Sequence, residues 1–149
     1  MHVEHTLDAP VAPTRLFEEV ADLARYRGWM PLVHEVVPLP SDPSGPAWEV
    51  ELRAAVGPLA RSKRLRMVRT THEPMTRAVF TRREDDGREH APWVLTTKID
   101  AIDGQSRLTM TLDYGGRLWT GAVLQGVLDR AVRDGSVALL QLVTEETPR

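Results

Sequence analysis

Five polar side chains share strand parity with apolar neighbours, and these are the residues that could carry chemistry inside a fold. His5 lies between Val3 and Leu7 in an alternating stretch. Arg69 has the parity of Leu65 and Met67, Arg82 that of Phe80, Thr97 that of Trp93 and Leu95, and Tyr114 that of Met110 and Leu112. An imidazole facing a cavity can act as a base toward an acidic C–H, and a guanidinium or phenol can stabilise the enolate oxygen that results. His5 with Arg69 or Tyr114 would make such a set if the three converge. The same groups can instead orient the carbonyl, carboxylate or hydroxyl of a bound molecule. A third reading is plain structure: His5 as a satisfied core histidine, Arg69 and Arg82 near uncovered strand ends, Tyr114 with its hydroxyl at a rim. A buried cation needs a partner and a buried phenol an acceptor. Parity brings these groups to one face and says nothing of their distances.

Other chemistries find little support. There is no cysteine among the 149 residues, which excludes disulfides, thiolate nucleophiles and thiolate metal sites. His2 and His5 are three apart on a strand, so they point to opposite faces and cannot chelate one ion; no metal site is expected. No serine sits in a GxSxG elbow, and no glycine-rich loop joins a strand to a helix, so neither a serine triad nor a bound nucleotide is expected. No cofactor is expected. The stretch ARSKRLRMVR concentrates Arg61, Lys63, Arg64, Arg66 and Arg69. It reads better as the solvated face of a strand, with Glu49 and Glu51 across the ladder, than as a nucleic-acid patch. The whole chain, with 19 basic and 21 acidic residues, has no basic excess to steer it to a polyanion.

The elements that must position these groups are legible from periodicity. Residues 2–8 alternate as a half-buried strand. Pro13 opens an amphipathic helix through Leu16, Phe17, Val20, Ala21 and Leu23, and ARYRGW adds a turn or two before Met30-Pro31. His34 to Leu39 predicts a strand stopped by Pro38, Pro40 and SDPSGP. Five more strands follow, with inner faces Trp48-Val50-Leu52-Ala54, Leu65-Met67, Ala78-Phe80, Trp93-Leu95-Thr97-Ile99 and Leu108-Met110-Leu112-Tyr114. Gly57-Pro58 and His72-Glu73-Pro74 mark turns, and Asp86-Gly87 and Asp103-Gly104 mark hairpins. The chain then predicts a long helix over residues 114–143, with a stripe at Gly121, Leu124, Leu128, Ala131, Gly135, Leu139 and Leu142. Glycine inside a helix costs about 1 kcal/mol against alanine, so two in one stripe imply a reason. They either widen a hollow beneath the helix or let its backbone approach a neighbour.

One long helix must cover seven apolar strand faces, which a twisted, curved antiparallel sheet wrapped around it achieves. The expected class is α+β, one domain over 1–149, with two short helices between strands 1 and 2. The string LDAPVAPTRLFEEVADLARYRGWMPLVHEV, with Ala9-Pro10, Asp22 and Trp29-Met30-Pro31, resembles the START / Bet v 1-like (SRPBCC) superfamily. Within it the chain is similar to the polyketide cyclase/dehydrase and lipid-transport group, over essentially its whole length. That resemblance implies a helix-grip fold with a hydrophobic cavity between sheet and terminal helix. It implies a lipid or polyketide-like ligand, an aromatase/cyclase or dehydrase as the alternative, and no shared catalytic signature. A third alternative is a protein-interaction module that presents Trp29, Met30 and Leu32 as an exposed patch.

The residues expected around a ligand are Val50, Leu52, Leu65, Met67, Phe80, Trp93, Leu95, Thr97, Met110, Leu112, Tyr114, Gly121, Leu124 and Leu128. His5, Tyr114 and Arg69 are the catalytic candidates. The N-terminus lacks a basic segment followed by an apolar run, and no stretch approaches a membrane span. The expectation is therefore a cytoplasmic monomer or homodimer with a hydrophobic small-molecule ligand, binding no nucleic acid and not integral to a membrane.

Overall fold

The computed structural model describes residues 1–56, 58–115 and 122–145, without the side chains of 56, 59 and 122–124. Strand β1 (His2–Ala9) leads into helix α1 (Pro13–Val20) and a short 3₁₀ helix (Leu23–Gly28). Pro13 occupies the first turn of α1, where its missing N–H costs nothing. Asp22 caps the 3₁₀ helix, accepting from the Ala24 N–H at 2.9 Å. Glu19, only 4% exposed, ties the two together by accepting from Arg15 at 3.0 Å and Arg25 at 2.9 Å. These charges are mutually compensated, as a buried carboxylate requires.

Six strands follow: β2 (Val33–Asp42), β3 (Gly45–Val56), β4 (Leu59–Glu73), β5 (Arg77–Arg82), β6 (Trp93–Ile102) and β7 (Gln105–Tyr114). They form one antiparallel sheet of seven strands in the order β1-β7-β6-β5-β4-β3-β2. Helix α2 (Ala122–Glu145) closes its concave side. The main apolar cluster lies between that side and the three helical segments.

Three boundaries differ from the sequence reading. β2 does not stop at its prolines but runs through Pro38 and Pro40 to Asp42. Being an edge strand, it needs donors along one side only, which is where proline is tolerated in a sheet. Asp86-Gly87 does not make a tight hairpin: it sits in a loop over 83–92. Asp103-Gly104 does, with φ of 45° and 78° at the two central positions, the left-handed pair that a two-residue hairpin favours. Tyr114 ends β7, and α2 begins at Ala122.

The outer face of β4 carries Arg64 and Arg66 of the basic run. Arg64 lies in register with Glu51 and Arg66 with Glu49, and the Arg66 guanidinium lies 3.3 Å from Asp42. β3 opens at Gly45, whose φ is +153°, with its backbone pressed on the carbonyl oxygen of Arg69. An added Cβ would collide with that oxygen, a backbone atom that cannot swing aside. Gly45→Ala is expected to cost about 2 kcal/mol from strain and displacement of β4. Urea unfolding at equilibrium checks this; a cost below a few tenths of a kcal/mol would contradict the close approach.

Candidate functional site: an apolar cavity beneath the long helix

Between the sheet and α2 lies a cavity of about 70 Å³. Val50 and Leu52 of β3, Leu65 and Met67 of β4, Trp93 and Leu95 of β6, and Met110 and Leu112 of β7 supply its sheet wall. Each is an inward position of a strand, so the period of two that alternates burial also builds the wall. Val3, Leu23, Tyr26, Met30, Leu32, Val33 and Val132 close the rest.

Other residues expected at the wall stand behind it. Phe80, Thr97 and Leu128 are 0% exposed and Tyr114 is 3% exposed, and none of them lines the cavity. Thr97 donates its hydroxyl to the Ala78 carbonyl at 3.0 Å, which satisfies it within the sheet. Gly121 and the Leu124 side chain lie outside the described residues. Gly135 does not widen the hollow. A Cβ there would meet Met30 Sδ at 3.0 Å, Met30 Cε at 3.1 Å and Pro31 Cδ at 3.4 Å. Its missing side chain lets α2 close against the Met30-Pro31 segment, from which Met30 reaches the cavity wall.

The polar candidates are engaged by the fold at separate places. His5 is half-buried on β1 and does not line the cavity. His2 turns outward, 2.6 Å from Asp113, which together with Glu4 raises its pKa above the ordinary imidazole value. Arg69 donates through Nη1 to the Ala21 carbonyl at 2.8 Å, at the C-terminal cap of α1, where a cation is favoured by the helix dipole. Three strands separate β4 from β1, and Arg69 is committed to α1. Arg82 donates to Glu84 at 3.1 Å and to the Ala91 carbonyl at 3.2 Å, pinning the 83–92 loop. The Tyr114 hydroxyl donates to Met1 Sδ at 3.0 Å while its ring packs 5.2 Å from Trp93, and burial raises its pKa. His5, Arg69 and Tyr114 therefore do not converge as an acid–base set.

Among the described wall residues the one ionisable group is Tyr26. It is 2% exposed and donates its hydroxyl to the Val20 carbonyl at 2.7 Å. Burial first, and the charge of Asp22 second, push its pKa well above the ordinary phenol value. What the wall offers is dispersion, apolar area and adaptable shape. Met30, Met67 and Met110 supply the adaptability, since unbranched thioether side chains repack at low cost. Trp29, Met30 and Leu32 are 3%, 6% and 6% exposed, so they form no surface patch.

The wall residues contributed by the segment between β1 and β2 carry a signal of their own. Leu23, Tyr26 and Met30 recur at helical spacing just before Pro31 and bury one face. Val132 was hidden by helix phase. The buried line on α2 runs through Leu128, Val132, Gly135, Ser136, Leu139 and Val143 rather than through Ala131 and Leu142, which are half-buried.

Residues 1–144 match the family model described as polyketide cyclase / dehydrase and lipid transport. No curated protein matches the chain. The chain is similar in structure to a START superfamily protein from Mycobacterium smegmatis, at 14% identity over 98% of this chain and 99% of that one, with a TM-score of 0.75. A protein from Thermus thermophilus gives 14% identity, coverage of 99% and 100%, and a TM-score of 0.74. The Zhui aromatase/cyclase from a Streptomyces species gives 16% identity, coverage of 97% and 94%, and a TM-score of 0.72. At such identities these likenesses carry the fold: a curved antiparallel sheet gripping a terminal helix. Among the described residues no helix is long and apolar enough to cross a membrane.

Proposed function

Since the chain belongs to the polyketide cyclase / dehydrase and lipid-transport family, we propose that it binds a hydrophobic small molecule, lipid or polyketide-like, between the sheet and α2. The observation that carries this reading is the cavity whose described walls are apolar throughout, apart from one phenol already bonded to the backbone. An apolar space with no polar partners for water stays dry, and an apolar ligand that enters it gains dispersion contacts the walls now lack.

At about 70 Å³ the space is well below the roughly 300–1,000 Å³ of a drug-sized site, so binding parts the walls. The three methionines supply part of that give. The binding reading is favoured over a cyclase because removing a proton from carbon needs a base in reach. The described wall positions are apolar, and His5 stands off them.

The test is uptake of an environment-sensitive apolar dye, with native mass spectrometry of the protein after exposure to long-chain lipids. One equivalent of dye or lipid per chain, with rising thermal stability, supports the reading. Absence of uptake for every apolar molecule offered overturns it.

A further inference from the structure

Of the 19 basic residues of the chain only two are lysines, Lys63 and Lys98. They sit in opposite settings. Lys98 lies on the outer face of β6, exposed, with its ammonium 3.9 Å from Asp100. Lys63 lies on β4 with the inward parity of Leu65 and Met67, in register with Leu52 of β3. Leu52 and Leu65 both line the cavity, so Lys63 stands at the margin of its wall. Its side chain is half-buried and feels the charges of Arg82, which ends β5, and of Glu84 just beyond. Arg82 and Glu84 are themselves bonded at 3.1 Å, and Glu84 also accepts from the Arg66 N–H at 2.8 Å. Burial first, and the Arg82 guanidinium second, lower the pKa of Lys63, while Glu84 opposes them. An arginine at this place would keep its proton at any ordinary pH, whereas a lysine can shed it.

We infer that Lys63 is a reactive amine that captures an aldehyde or ketone reversibly as an imine. Partial burial beside an apolar wall and a neighbouring cation are the two settings that turn a lysine into a nucleophile, and here they coincide. The nitrogen lone pair forms a bond to the carbonyl carbon, and the carbonyl oxygen leaves as water. Addition of water reverses both steps, so neither an oxidant nor a reductant is required. Half-burial leaves the amine open to a carbonyl compound arriving from solvent. The inference goes beyond the binding function proposed above and does not require the cavity to fill.

Reductive trapping with hexanal and cyanoborohydride at neutral pH tests it, because hydride converts each imine into a stable secondary amine. Peptide mass spectrometry then reads the rate at Lys63 against that at Lys98, and separates both from the α-amino group. Lys63 is expected to be labelled several-fold faster than Lys98, since more of its amine is unprotonated. In guanidinium chloride, where the fold is lost, the two rates should converge. R82Q should slow labelling at Lys63 and leave Lys98 unchanged. Equal rates in the folded protein overturn the inference, as does a preference that persists in the unfolded chain. A Lys63 rate that R82Q leaves unchanged overturns the part assigned to the guanidinium. None of these results bears on dye uptake, so the inference and the binding function can fail separately.

Discussion

Replacing Val132 by phenylalanine is expected to abolish dye uptake while leaving the protein folded. Val132 is 5% exposed, sits on the inner line of α2 and faces the cavity. Phenylalanine adds about four heavy atoms at that point, enough to occupy much of a space of about 70 Å³. Enlarging a side chain in a filled core normally costs about 1–3 kcal/mol. Here the added ring enters a void and gains contacts, so stability should change by less than about 1 kcal/mol in either direction. Dye fluorescence and thermal unfolding, measured on the same preparation, read both effects. Uptake that persists at full affinity would place the ligand elsewhere. A loss of several kcal/mol would mean that the space beneath Val132 is already occupied by side chains.

Phe80→Ala is expected to produce the largest loss of stability, about 3–5 kcal/mol. The ring is 0% exposed on β5, at the middle of the sheet. It meets Tyr26 edge-on at 6.1 Å and Trp48 at 5.9 Å, so it joins the 3₁₀ helix to β3 across the core. Edge-to-face pairs add about 0.5–1.5 kcal/mol beyond the area they bury. Both pairs disappear together in the alanine variant, and the backbone of a central strand cannot collapse to fill the hole. Urea unfolding should show the midpoint falling with little change of slope. A loss under about 1 kcal/mol would show that Tyr26 and Trp48 close over the gap, and with it that the roof of the cavity is soft.

The sheet was legible in the sequence because its signals are local. Period-two alternation identified the inward residues of β3, β4, β6 and β7, and Asp103-Gly104 announced its turn. The polar candidates were harder, because parity names a face and not a partner. Arg69 shares the face of Leu65 and Met67, yet the chain segment that claims it, the end of α1, lies 48 residues away. The register also shifts between Arg69 and Thr71, a local irregularity with no mark in the residue types. Arg82 is likewise held by the 83–92 loop, whose path no periodicity describes. Gly135 stands out within its helix, but the purpose of a missing side chain depends on what stands opposite. Met30 and Pro31, about a hundred residues earlier, are not visible from the helix itself. On α2 a stripe at spacings of three and four drifts by one position, which is enough to exchange Val132 for Ala131.

The prolines of β2 have a consequence for how the protein keeps to itself. A sheet of seven strands ends in two ribbons of unpaired backbone, and such ribbons can recruit a strand from another molecule and grow into fibrils. Pro38 and Pro40 both lie in the edge strand β2, and neither has an N–H to offer an incoming strand. An incoming strand would find carbonyls there with two of the donors missing. Two substitutions at that margin, Pro38→Thr and Pro40→Thr, would restore the missing amides without touching the interior, and polymerisation in concentrated solution is where the difference would first be seen.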